Sequence, residues 1–219
     1  SAPARCATND FSMIDEQKNA FCQILEYVQI SRPSAVLIAG DVYDRAVPSV
    51  EAVRVFDDFL TSLANEDVVV LLIAGNHDSP ERLAYASRLL EDKNIYLSGI
   101  FDGKMQSVTL KDAHGEVDFW MLPFIRPALA QSFFDVTKFD TYSDAISAIL
   151  ESSEIDKSKR NVLLSHQFYI STGVTPVRSE SEITPVGGLD AINAGLLSTF
   201  DYVALGHLHG SQRVGSDNI

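Results

Sequence analysis

Hydrophobic and polar positions alternate along the first third of the chain as they do in helices followed by buried strands. Residues 12–31 carry an apolar stripe at helical spacing, which predicts an amphipathic helix with Ser12 as its N-cap. The stripe consists of Ile14, Phe21, Ile24, Leu25 and Val28. The continuous apolar run of residues 34–41, SAVLIAGD, predicts a strand covered on both faces.

The same succession repeats once and then changes. A second amphipathic helix is predicted near 49–64, and the apolar run VVVLLIA at 68–74 predicts a second strand. Ser79 and Pro80 then predict the start of a further helix, as N-cap and first helical residue. Buried strands that alternate with amphipathic helices indicate a layered α/β domain with a largely parallel core sheet.

The middle and the end of the chain predict a second sheet. IYLSG, MQSVTL, the turn KDAHGE and VDFWMLP have the pattern of short strands and a hairpin, and residues 141–153 have the pattern of a helix. NVLLSH and DYVALGH predict two more buried strands. Between them, residues 169–188 are rich in Ser, Thr, Pro and Gly, and long irregular segments in compact domains often carry function.

Side chains of the kind that bind metal ions follow four of the predicted strands. They are Asp41, then Asn76, His77 and Asp78, then His166, and finally His207 and His209. Each alone has an ordinary explanation as a turn residue or a hydrogen-bonded interior histidine. Because open α/β sheets form sites at the carboxyl ends of their strands, four such endings predict convergence on one edge. In extended backbone, His207 and His209 would point to the same side.

The types of ligand narrow the chemistry. One carboxylate, one amide oxygen and several imidazoles, with no thiolate, favour Mn²⁺ or Fe²⁺, with Mg²⁺ or Zn²⁺ as alternatives. The set is too large for one ion, whereas two ions about 3.5–4 Å apart would use it. Asp41 is then the natural bridging ligand. His77 remains to protonate a leaving oxygen, and Asp78 is placed to orient it.

Composition narrows the classes of protein. With 219 residues, 46% of them apolar, the chain fits one sizeable domain. It has no run of 18 apolar residues and no signal-peptide pattern, and its two cysteines do not suggest a disulfide framework, so a reducing cytoplasm is expected. The formal net charge of −13 argues against a broad nucleic-acid-binding face. Solubility, or bound cations that offset the acid locally, would each explain that charge.

Four short motifs resemble those of the calcineurin-like metallophosphoesterase superfamily: GDVYDR, GNHD, SHQ and GHLHG. Longer stretches, LIAGDVYDRAVPSVEAV, IAGNHDSPERL, VGGLDAI and DYVALGHLHGSQRVG, resemble more narrowly the family of SbcD nuclease subunits of bacterial SbcCD complexes. The resemblance implies an α/β four-layer sandwich, in which two mixed sheets are flanked by helices. It implies one nuclease domain over residues 1–219.

The resemblance also implies roles for the strand-end residues. Asp41 would bridge two divalent ions, with Mn²⁺ the first choice and Mg²⁺ or Fe²⁺ as alternatives. One metal site would be completed by Asn76, His166 and His207, and His209 would serve the other site. His77 would be the catalytic acid or transition-state stabiliser, paired with Asp78.

The function implied by the resemblance is metal-dependent hydrolysis of DNA, at double-strand ends and hairpins, in DNA repair. The implied partners are DNA, a coiled-coil ATPase of the SbcC type and a second copy of the chain, in a bacterial cytoplasm at the nucleoid. DNA affinity would then come largely from the ATPase and the metals. Two alternatives remain: another calcineurin-like phosphodiesterase or phosphatase, and a non-catalytic scaffold with this fold.

The chain departs from the superfamily pattern at its start. The superfamily opens with a strand that ends in Asp-x-His before the first helix, whereas residues 1–10 read SAPARCATND. The one Asp-x-His, Asp112-Ala113-His114, falls in the predicted hairpin turn. We therefore expect a domain truncated at both ends, without its first strand and without capping and ATPase-docking regions. Such a fragment would have little or no activity.

Overall fold

The computed structural model describes residues 13–135, 138–171 and 191–215. The chain divides into two compact units, Ser1–Ile100 and Phe101–Ile219. Each unit has its own sheet and its own hydrophobic core. The predicted mixed α/β architecture, with sheets flanked by helices, is confirmed.

The first unit contains a three-stranded parallel sheet. Its strands are β1 (Ala35–Ala39), β2 (Val69–Ile73) and β3 (Ile95–Ser98), in the order β1-β2-β3. Its helices are α1 (Ile14–Ser31), α2 (Val50–Ala64), α3 (Pro80–Leu83) and α4 (Ser87–Leu90), and a 3-10 turn follows at Glu91–Lys93. Ala39 lies beside Ile73 in the register of the sheet, so β1 and β2 end at the same level.

The apolar stripes of α1 and α2 build the core of this unit, as predicted. Phe21 of α1 stacks on Phe59 of α2 with ring centroids 4.1 Å apart. The N-cap of α1 is Met13, which makes no side-chain capping bond, and the predicted cap Ser12 lies outside the described residues. α2 has a capped start, because the Ser49 hydroxyl accepts the N–H of Ala52 at 3.1 Å.

Strand β1 is less covered than its apolar sequence predicts. All five of its residues are only partly buried, whereas four of the five residues of β2 are buried. The reason lies in the sheet order: among the described residues, β1 pairs with β2 alone and forms an edge. The expectation of a strand covered on both faces was therefore wrong for β1 and correct for β2.

The second unit contains a four-stranded mixed sheet. Its strands are β4 (Gln106–Asp112), β5 (Gly115–Leu122), β6 (Arg160–Ser165) and β9 (Tyr202–Leu205), in the order β4-β5-β6-β9. β4 and β5 form the predicted antiparallel hairpin, and the other pairings are parallel. A separate parallel pair joins β7 (Tyr169–Ile170) and β8 (Ile192–Asn193). Two helices, α5 (Pro127–Ala130) and α6 (Tyr142–Ser152), and 3-10 turns at Gln131–Phe133 and Ala194–Leu197 complete this unit.

Local polar contacts fix the elements of the second unit. Thr141 starts α6 with a capping box: its hydroxyl accepts the N–H of Asp144, and the Asp144 carboxylate accepts the N–H of Thr141. Across the sheet, the Trp120 indole donates to the Asn161 side chain at 2.9 Å. Asn161 is buried, so this bond satisfies a polar group that burial would otherwise penalise.

Membrane-spanning helices do not occur in the described part of the chain, because none of its helices is both long and apolar enough.

Candidate metal and catalytic site

The ends of β1 and β2 bring four of the predicted site residues together in the first unit. Asp41 follows β1 by two residues, and Asn76, His77 and Asp78 follow β2. Because the register sets these two ends level, the two loops meet directly beyond the sheet. Along the second loop, Asn76 is half-buried, His77 is exposed and Asp78 is buried.

Asp41 has a constrained backbone and a held carboxylate. Its φ of 49° lies in the left-handed region, which non-glycine residues seldom adopt and which clusters at functional sites. Its Oδ1 accepts the backbone N–H of His77 at 3.0 Å. Gly75 allows this close approach, since a Cβ at that position would overlap the Asp41 carboxylate and backbone nitrogen. The loops that carry Asp41 and His77 are thus fixed against each other.

His77 is oriented by a backbone carbonyl. Its Nδ1 lies 2.9 Å from the carbonyl oxygen of Asp44. A carbonyl can only accept, so Nδ1 carries the hydrogen and the neutral ring presents Nε2 as an acceptor. The predicted orienting contact from Asp78 is replaced here by the main chain of Asp44. Sequence reasoning assigned no role to Asp44, although it lies within the GDVYDR motif.

Asp78 instead joins the two loops. Its carboxylate accepts the backbone N–H of Gly75 at 2.8 Å, of Tyr43 at 2.9 Å and of Val42 at 3.1 Å, and the residue is only 6% exposed. Burial raises the pKa of the Asp78 carboxyl above its usual range, although these three N–H groups lower it. The loop after β2 thereby grips the loop after β1 through one buried side chain.

Tyr43 lies under the first of these loops. Its ring packs edge-on against Phe56 with centroids 5.7 Å apart. Burial raises the pKa of Tyr43 to about 12, and the carboxylates of Asp78 and Asp57 also disfavour the phenolate. The phenol is therefore neutral at physiological pH.

The second unit brings two of the predicted histidines together at the ends of β6 and β9. Ser165 lies beside Leu205 in the register, so His166 and His207 follow neighbouring strand ends. Their ring centroids are 5.5 Å apart at an interplanar angle of 85°. His166 is 1% exposed. His207, like Asp41, has a left-handed backbone, with φ at 74°.

His209 is placed differently from the prediction. The expectation that His207 and His209 point to the same side assumed extended backbone, and the left-handed conformation of His207 breaks that assumption. His207 is half-buried, whereas His209 is exposed in the irregular segment after β9. The spacing of the two histidines therefore gives no evidence for a shared site.

Buried polar groups support the loop that carries His166. The hydroxyls of Ser165 and Tyr169 are 3.0 Å apart and fully buried, and burial raises the pKa of Tyr169. Gln167 donates to the carbonyl oxygens of Pro123 and Ile125 at 3.4 and 3.3 Å. Sequence reasoning missed these supports, because a lone serine, tyrosine or glutamine beside a strand carries no recognisable spacing.

The expected convergence of all seven residues on one sheet edge divides between two sheets. β1 and β2 belong to one sheet, and β6 and β9 belong to the other. Within the described ranges, no group of three or more His, Cys, Asp or Glu residues is arranged to hold a metal ion. The donor chemistry still suits a divalent cation, since Asp41 offers a fixed carboxylate and the second unit offers paired imidazoles.

The Asp112-Ala113-His114 sequence forms the hairpin turn that was predicted for it. The Asp112 carboxylate accepts the N–H of His114 at 2.7 Å and binds both terminal nitrogens of Arg160. Both Asp112 and His114 are exposed. Of the long loop predicted at 169–188, residues 172–188 lie outside the described ranges.

Comparison with known proteins gives one family and a set of named relatives. Residues 8–211 match the family model described as calcineurin-like phosphoesterase. A Staphylococcus epidermidis protein, named as the SbcD component of the nuclease SbcCD, is 32% identical over 204 residues, which cover 92% of this chain and 53% of the relative. A protein of the same name from Staphylococcus saprophyticus is 31% identical over 205 residues, with coverages of 92% and 52%. The chain thus spans about half the length of these curated relatives.

Proposed function

The chain belongs to the calcineurin-like phosphoesterase family, and on that premise we propose that it is the nuclease domain of a DNA-processing complex. The reaction is hydrolysis of a phosphodiester bond at DNA ends and hairpins. Members of this family are generally hydrolases and use divalent metals. The names of the two staphylococcal relatives support a nuclease over other phosphoesterases.

The observation that carries the proposal is the coupling of Asp41 to His77. One offers a carboxylate for a metal, and the other offers an imidazole for proton transfer. The N–H of His77 binds the Asp41 carboxylate at 3.0 Å, so ligand and acid keep a fixed separation. A positioned proton donor beside a metal ligand is what phosphodiester cleavage requires.

Two divalent ions, with Mn²⁺ as the first candidate, are proposed cofactors. Asp41 would bridge them, and the other ligands would be Asn76, His166, His207 and His209. When bound, such a pair of ions lowers the pKa of a water and neutralises charge on the phosphoryl group. The chain's own contribution is a fixed array of oxygen and nitrogen donors.

His77 supplies the proton in this proposal. Its Nδ1–H is bound to the Asp44 carbonyl, so a second proton resides on Nε2 in the imidazolium form. The water oxygen bonds to phosphorus, the bond from phosphorus to the leaving nucleoside oxygen breaks, and that oxygen takes the Nε2 proton. Asp78 acts as a positioning residue, because it fixes both loops without contacting the substrate.

The proposed partners are DNA, a coiled-coil ATPase of the SbcC type and a second copy of the chain. The names of the relatives support the first two, since the name SbcCD describes a nuclease that pairs SbcD with SbcC. At a net charge of −13, the ATPase and the metals would supply much of the DNA affinity. A bacterial cytoplasmic location follows from the same proposal.

The test is cleavage of a hairpin DNA by the intact gene product in Mn²⁺. We expect His77→Gln to lower the rate of cleavage about 10²- to 10⁴-fold, the usual contribution of a general acid. His114→Gln is the matched control, because His114 is an exposed histidine on the β4–β5 turn. Equal rates in the two variants would overturn the role of His77.

A second substrate separates the alternatives. Hydrolysis of a small aryl phosphodiester without cleavage of DNA would favour another phosphodiesterase of the family. Hydrolysis of neither substrate, with Mn²⁺ still bound, would favour the non-catalytic scaffold.

A further inference from the structure

A pocket of about 180 Å³ lies beside the loop that holds His77, and the proposed chemistry leaves it unused. Its walls come from residues 43–52, the segment that connects the Asp41 loop to α2. The carbonyl of Asp44, which lines the pocket, is the group that binds His77 Nδ1 at 2.9 Å. The pocket therefore adjoins the group that we assign to proton donation.

The size of the pocket suits one ring. An apolar cavity of about 150 Å³ is enough to hold benzene. Pockets for drug-sized ligands start at roughly 300 Å³. A pocket of about 180 Å³ accepts a sugar or a base and excludes a large peptide side chain with its neighbours.

The lining offers both apolar contact and polar groups. Tyr43 provides an aromatic ring, and Val47 and Pro48 provide aliphatic surface. Ser49 accepts the N–H of Ala52, which leaves its hydroxyl hydrogen to donate to a ligand.

The charge at the rim is balanced. Arg45 is 3.1 Å from the Asp44 carboxylate, so the rim does not repel a phosphate. An aromatic and aliphatic wall with a few polar groups is the usual lining of a site for a nucleotide ring.

From this placement we infer that the pocket holds the nucleoside on the leaving-oxygen side of the scissile phosphate. The inference rests on the proposed function, because it assigns to His77 the proton that the leaving oxygen receives. The nucleoside that bears this oxygen must lie next to His77, and the pocket is the space there. Substrates are thereby selected for a ring on the leaving side.

The test compares phosphates with and without a nucleoside. Thymidine 3′-monophosphate and thymidine 5′-monophosphate carry the ring on either side of the phosphate, and methyl phosphate carries none. Binding to the 219-residue chain is measured by isothermal titration calorimetry in Mg²⁺. We expect one thymidine phosphate to bind about tenfold more tightly than methyl phosphate, the usual gain from one stacked ring.

Two matched variants locate the binding. Val47 and Val50 are exposed valines, 63% and 69% accessible, and only Val47 lines the pocket. Val47→Glu fills the pocket and adds a negative charge, whereas Val50→Glu adds the same charge outside it. We expect Val47→Glu to abolish the preference for the thymidine phosphate and Val50→Glu to retain it. Because both sites are exposed, both variants should keep the parent melting temperature within a few degrees.

Three results would overturn the inference: equal affinity for all three phosphates, equal loss in both variants, or no binding of any probe. The hairpin cleavage assay reports separately on the proposed function. If the intact gene product cuts hairpin DNA while the thymidine phosphates show no preference, the pocket assignment alone fails. If cleavage is absent and binding is also absent, both fail.

Discussion

Replacement of Asp78 tests how firmly the two loops of the first unit are joined. The carboxylate accepts three backbone N–H groups at 2.8, 2.9 and 3.1 Å and is 6% exposed. A hydrogen bond to a charged group contributes about 1.5–3 kcal/mol, and the desolvation of the carboxylate offsets part of the sum. We expect Asp78→Ala to lower the free energy of unfolding by about 4 kcal/mol.

The measurement is urea unfolding followed by circular dichroism. With a slope of about 2 kcal/mol per M, the midpoint should fall by about 2 M. Asp78→Asn is the milder variant. Its amide oxygen can keep the bonds from Val42 and Gly75, which both reach Oδ2, but its NH₂ group faces the N–H of Tyr43. We expect a loss of about 2 kcal/mol for this variant.

The matched control is Asp58→Ala, which removes an exposed carboxylate from α2 in the same unit. Its effect should stay within about 0.5 kcal/mol. If Asp78→Ala destabilises the chain no more than Asp58→Ala does, the three amides find other partners and the joint between the loops is not what holds them.

Three further changes test other contacts. Gly75→Ala should lower Mn²⁺ affinity at least about tenfold by titration calorimetry, because the new Cβ displaces the Asp41 carboxylate. Asp112→Asn should remove part of the loss of stability in acid. Arg160 lowers the pKa of Asp112 in the folded chain, so the ionised pair stabilises the fold above the ordinary carboxyl pKa and is lost as pH falls below about 4. Thr141→Ala should cost about 1 kcal/mol in urea unfolding, because α6 loses its N-cap.

Each of these has a control in the same chain. Gly195→Ala meets only the Asn193 side chain and should leave Mn²⁺ affinity unchanged. Asp102→Asn changes an exposed aspartate of the second unit and should leave the acid profile as it is. Ser152→Ala alters the last residue of α6 instead of its cap and should cost less than Thr141→Ala. Equal effects within any pair would contradict the corresponding argument.

Periodicity predicted the elements well where one face of an element meets a core. α2 begins directly after Ser49, and the β4–β5 hairpin turns at 113–114, as their sequences indicate. β1 shows the limit of the method. Its apolar run cannot reveal how many neighbours a strand has, and β1 has one among the described residues.

For the candidate site, sequence reasoning identified residues but not their contacts. It named Asp41 and His77, which the structure brings together, and it misassigned the partner of His77. The actual partner is the carbonyl of Asp44, a main-chain group that every residue has and that no side-chain pattern reveals. The left-handed backbone at Asp41 and His207 was equally invisible, because neither residue is a glycine.

The joint at Asp78 also has a consequence for the timing of local opening. The amides of Val42, Tyr43 and Gly75 share one acceptor, so none can exchange its hydrogen with solvent unless that acceptor releases it. The three should therefore exchange with a common opening free energy, as one cooperative unit that includes parts of both loops. The amide of His77, bound to Asp41, would follow the same unit. The ligand loop and the acid loop would then be lost together, and a half-open state with only one of them in place would be rare.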